Sequence, residues 1–71
     1  MPEKQIETLA DALPKECARV RRVLGYYKEL GPVGAIGAAF IERDLKDADR
    51  AMVSGDVVAM VRALQTLRGV N

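Results

Sequence analysis

The sequence predicts an all-α protein, and three observations predict it. No segment alternates apolar and polar residues with period two over the length of a strand. Four segments instead repeat apolar residues at three- and four-residue spacing. Prolines and glycines fall between those segments, at positions that suit helix starts and stops. The expected architecture is one domain, residues 1–71, of four short helices at about 3–12, 14–30, 32–53 and 56–68. The second and third of these form an antiparallel hairpin within a dimeric helical bundle.

Ile6, Leu9, Ala10 and Leu13 follow i, i+3, i+4, i+7 and define the first helix, with Pro2 and Glu3 suited to its first turn. It is expected to stop near Ala12, because Pro14 disfavours helical dihedrals at Leu13. Pro14 then opens the second helix, which sets Cys17, Val20, Val23, Leu24, Tyr27 and Leu30 on one stripe. Gly31 ends it in a left-handed cap, and Pro32 is pre-set for the first turn of the third. A connection that tight favours the antiparallel hairpin. Around Ser54-Gly55-Asp56 one helix closes and the next opens, Asp56 accepting from first-turn amides. The fourth helix places Val57, Met60, Val61, Leu64 and Leu67 on one face, with Ala59, Arg62 and Thr66 opposite.

A 71-residue chain of 7.7 kDa hides only about 60% of the surface it exposes when unfolded, so its core is thin and association is favourable. One cysteine and no histidine leave neither a disulfide nor a structural zinc as a staple. Formal net charge is +1, which gives no global attraction to nucleic acid or an anionic membrane. The charged N-terminal MPEKQIE lacks an export signal, and the longest apolar run, Leu30 to Ile41, has twelve residues where a spanning helix needs about 20. A cytoplasmic setting is expected.

The inventory disfavours an enzyme. Without histidine, the commonest general base is missing, and Ser54, the one serine, sits in a helix junction. Cys17 falls in the first turn of the second predicted helix, where the dipole favours thiolate, yet it also shares the apolar stripe with Val20 and Leu24, which makes it an inert core residue. Glu42, Asp44, Asp47 and Asp49 do not match the calcium-loop spacing and spread around a helix, so no metal or cofactor is expected. Glu42 with Lys46 and Arg43 with Asp47 read as i,i+4 pairs on a solvated face.

Charge is lopsided in one place. Residues 14–28 hold Lys15, Arg19, Arg21, Arg22 and Lys28 against Glu16, whereas residues 29–50 hold three basic and five acidic side chains. Lys15, Arg19 and Arg22 share a flank with Tyr26 beside them, an arrangement that can track a phosphate backbone. Neutralisation of that flank by the first or third helix is the competing reading, favoured because a small nucleic-acid binder is usually basic overall.

In GPVGAIGAAF, residues 31–40, glycine recurs every third position. Neither dinucleotide nor P-loop spacing is present, and no strand precedes it. On a helix, Gly34, Gly37, Ala38, Ile41, Leu45, Ala48 and Met52 form the core stripe, its small residues admitting a close neighbour. Val33, Ile36 and Phe40 recur at i, i+3, i+7 on a second apolar face. That face requires cover from the first and fourth helices, from a second copy, or from a partner.

At LPKECARVR (13–21), GPVGAIGAAFIERDL (31–45) and SGDVVAM (54–60) the chain resembles small uncharacterised helical proteins encoded by phages and prophages. The resemblance carries no functional motif and transfers no site residue. It implies a bacterial cytoplasmic setting and a small protein that binds a host or phage protein. The expected function is that of a non-enzymatic interaction module, a homodimer whose contacts are Val33, Ile36 and Phe40 with Tyr26 and Tyr27. The alternative is a nucleic-acid-binding accessory or regulatory protein using Lys15, Arg19 and Arg22.

Overall fold

Thr8 opens the first helix. In the computed structural model, which describes residues 8–71, the Thr8 hydroxyl oxygen accepts from the Asp11 amide at 3.2 Å and donates to Asp11 Oδ2 at 2.9 Å. That cap starts α1, Leu9–Glu29, which runs through Pro14 without interruption. The part of the expected first helix that precedes Thr8, with Pro2, Glu3 and Ile6, lies outside the described residues.

The two helices expected at 3–12 and 14–30 are therefore one within the described residues, and the expected break at Ala12 does not occur. Pro14 lies in the second turn and forgoes one backbone bond, while Leu9, Leu13, Cys17 and Val20 keep a continuous inward stripe across it. Leu13 and Val20 are fully enclosed. Burial of that stripe outweighs the local preference of the residue before a proline.

The turn after α1 follows the expected chemistry. Gly31 adopts φ +66° and, with Pro32 next, opens a short 3₁₀ turn, Gly31–Gly34, that leads directly into α2, Ala35–Ser54. Gly55, at φ +71°, then closes α2, and Asp56 Oδ1 accepts from the Ala59 amide at 3.2 Å to start α3, Val57–Arg68. The described residues thus form three α-helices, not four, with no strand.

Each helix touches the other two. Lys28 Nζ meets Glu42 Oε2 at 3.0 Å and Arg21 Nη2 meets Asp49 Oδ1 at 3.6 Å: seven residues back along α1 is seven forward along α2, so the pair is antiparallel. Buried between the helices are Ala12, Leu13, Cys17, Val20, Ile41, Leu45, Ala48, Ala63, Leu64 and Leu67. The α2 contribution matches the expected core stripe. On the other helices two expectations fail: Leu30, at the end of α1, is 58% exposed, and Val57 and Val61 lie on an exposed flank because α3 turns Ala63 inward instead.

The helices are unequal in length, at 21, 20 and 12 residues. The end of α3 is fixed by Arg19, whose Nη2 donates to the Leu67 carbonyl at 2.8 Å and Nη1 to the Val70 carbonyl at 2.9 Å. The residues after α3 reach Tyr27, whose hydroxyl lies 3.4 Å from the Asn71 carbonyl, but α3 itself makes no contact with the Gly31–Gly34 turn. The end of the α1–α2 hairpin nearest the Gly31 turn is one place where the fold leaves apolar side chains uncovered.

Candidate interaction face

Small residues decide which way α2 faces. A Cβ built on Gly34 would collide with the Tyr27 carbonyl oxygen, and one on Gly37 would stand 2.6 Å from Tyr27 Cε2. The hairpin closes onto these two glycines, which seat the backbone and ring of Tyr27 between α1 and α2. The tyrosine hydroxyl then donates to the Asn71 carbonyl at 3.4 Å. With Gly34, Ala38 and Ile41 turned inward, the helical repeat turns Val33, Ile36 and Phe40 outward.

These three side chains are 87%, 74% and 53% exposed, so neither of the neighbouring helices supplies the cover that the sequence left open. Ala35 and Ala39 are exposed too, and no charged residue occurs from Leu30 to Ile41. Tyr26, at 65% exposure, and Leu30 stand at the same end of the hairpin. Tyr27, expected beside Tyr26 as a contact residue, is half-buried in the hairpin seam. The Arg43 guanidinium lies over the Phe40 ring, 5.0 Å from its centroid, and its Nη2 is 3.6 Å from Asp44 Oδ1.

Sequence reasoning missed a second uncovered group. Val53, Val57, Val58 and Val61 are 90%, 63%, 61% and 40% exposed around the α2–α3 junction. Its signal was present in the sequence: at about 100° per residue Val58 falls on the side of the helix opposite Leu67, off any stripe that buries Leu64 and Leu67.

The basic flank of α1 is largely engaged within the chain. Arg19 donates through all three of its guanidinium nitrogens, Nε going to Glu16 Oε1 at 3.0 Å, and Arg21 and Lys28 pair with α2. Lys15 and Arg22 are exposed on α1. The expected pairs within the acidic run are replaced by others: Glu42 meets Lys28, Arg43 meets Asp44, and Asp47 meets Arg50 at 3.5 Å. The long-range partner competes better for Glu42 because α1 lies directly alongside it.

Between α2 and α3 lies an open groove of about 200 Å³ lined by Asp44, Asp47, Ala59, Arg62, Ala63 and Thr66. Two carboxylates, an arginine and a threonine hydroxyl can exchange hydrogen bonds with water or a small polar group. Among the described residues no group of three or more His, Cys, Asp or Glu is placed to hold a metal ion. No described helix is long and apolar enough to cross a membrane.

Cys17 is 1% exposed in the third turn of α1, too far from the helix start for the dipole argument that a first-turn position suggested. Burial raises its pKa above the ordinary 9.0, Asp49 and Glu16 add to that, and Arg21 opposes it. A thiol so placed is a packing group. Compared with protein-family models, with curated proteins and with solved structures, the chain finds no match in any of the three.

Proposed function

We propose that this protein is a non-enzymatic interaction module that associates through the uncharged apolar face of Val33, Ile36 and Phe40, with Tyr26 at its edge, and that its first partner is a second copy of itself. The observation that carries this reading is the exposure of Val33 in the 3₁₀ turn and of Ile36 and Phe40 on α2, 87%, 74% and 53%, which none of the described helices covers. Burying such side chains is worth about 1.5–3 kcal/mol each, a driving force that a thin three-helix core leaves unused. The sequence resemblance to phage and prophage proteins supports a host or phage protein as a further partner for the same face.

The experiment is sedimentation of the chain across a range of concentrations beside Phe40→Asp. A dimeric mass for the chain and a monomeric mass for the variant, with unchanged helix content, is the expected result. An identical mass for both, together with identical capture of partners from a bacterial lysate, sinks the reading. A salt-sensitive shift of duplex mobility that disappears in Arg22→Ala would favour the nucleic-acid alternative instead.

A further inference from the structure

Resting on that reading, and specifying it, we propose that two copies meet as an isologous pair in which the first turns of α2 lie across their counterparts, with Ile36 nearest the two-fold axis. Extent is the first argument. Tyr26, Leu30, Val33, Ile36 and Phe40 are each more than half exposed at the end of the hairpin that α3 does not reach. At roughly 100 Å² for each such side chain they offer on the order of 500 Å² per copy, the larger part of the ~800 Å² that a standard interface takes from each partner.

Charge is the second. A two-fold axis sets each residue near it against its own copy, so a charged group there meets its like. Residues 30–41 carry no charge, and the next two, Glu42 and Arg43, are already taken up by Lys28 and by Asp44 and the Phe40 ring. The other uncovered group has Asp56 within its sequence span and Arg62 directly after it, so Val53, Val57, Val58 and Val61 offer no uncharged stretch of comparable length.

Approach is the third. Ile36 stands between Val33 and Phe40 along the stripe, and the exposed Ala39, about 60° around α2 on its other flank, adds little bulk beside it, so two copies of α2 can cross at Ile36 at the usual separation of about 8–10 Å. Isoleucine at the axis then packs against isoleucine, with Val33 and Phe40 of each copy outside it.

Single cysteines test the arrangement, because a disulfide requires Cβ atoms about 3.5–4.5 Å apart and therefore links a residue to its own copy only near the axis. Ile36→Cys, Ala39→Cys and Val57→Cys are all exposed positions, and the unsubstituted chain, with Cys17 buried, is the blank. Under mild oxidation, Ile36→Cys and to a smaller extent Ala39→Cys should convert most of the chain to covalent dimer, while Val57→Cys and the blank stay single on a non-reducing gel. A dimeric sedimentation mass without linkage at position 36 or 39, whether or not position 57 links, overturns the arrangement and leaves self-association standing. A monomeric mass at every concentration overturns both.

Discussion

The ring of Tyr27 occupies the space where a side chain at position 37 would begin, and Gly37 makes room for it: a Cβ there would lie 2.6 and 2.7 Å from Cε2 and Cδ2. Three residues earlier, Gly34 does the same for the Tyr27 carbonyl. The two contacts differ in how far the neighbour can yield. A ring can swing aside, whereas a carbonyl fixed in a helix moves only with its backbone.

Gly34→Ala should therefore lower stability by about 2–3 kcal/mol through forced repacking of the hairpin. Gly37→Ala should do less harm, because the ring can turn and alanine regains up to about 1 kcal/mol of helix propensity. Urea unfolding followed by circular dichroism checks the order. Equal losses would mean that the tyrosine ring is held as rigidly as the backbone.

Arg19 ties α1 to the end of α3 through the Leu67 and Val70 carbonyls. Its loss in Arg19→Ala should reduce stability by about 1.5–3 kcal/mol, the range for hydrogen bonds to a charged group, and should speed amide exchange at the end of α3. Arg19→Lys should recover only part of this, because an ammonium lacks the fork that reaches two carbonyls at once. Full recovery by lysine would reduce the role of Arg19 to its charge.

At the start of α1, Thr8→Ala should cost about 1 kcal/mol by removing the cap on Asp11. Pro14→Ala should act in the opposite sense, gaining on the order of 1 kcal/mol by restoring a backbone bond in the second turn. Thermal midpoints of the two variants should straddle that of the parent chain. A Pro14→Ala midpoint below the parent would show that proline's stiffening of the unfolded chain outweighs the missing bond.

Cys17 makes stability depend on alkaline pH. Its folded pKa is raised, so the unfolded chain loses the thiol proton first; the contribution is intact below the ordinary value of 9.0 and is lost as pH climbs through the folded value. Unfolding free energies measured from pH 7 to 10 should fall more steeply for the parent than for Cys17→Val. A small thiol reagent at neutral pH should label the folded chain far more slowly than the unfolded one.

Much of the fold was legible because its punctuation is local. Gly31-Pro32 and Ser54-Gly55-Asp56 act through their own dihedrals and nearest amides, so the turns they specify are readable without knowing the rest of the molecule. The α2 stripe from Gly34 to Met52 was readable because one face alone avoids charge. Pro14 misled for the converse reason: its local rule competes with burial of Leu13 and Cys17, which depends on helices far along the chain. The clamp formed by Arg19 was invisible because it joins residues 48 and 51 positions apart, and no residue-type pattern announces a bond to a backbone carbonyl. Tyr27 was read both ways, on the inward stripe with Cys17 and Val20 and as a contact beside Tyr26, and its ring against Gly37 bears out the first.

The short third helix separates two kinds of experiment that are usually entangled. Leu13, Cys17, Val20, Ile41, Leu45, Leu64 and Leu67, which enclose one another, share no member with Val33, Ile36 and Phe40, each more than half exposed. A library randomised at those three positions can therefore be screened for what it binds without a parallel screen for what still folds, and the same three-helix body can carry a different specificity with each version of the stripe.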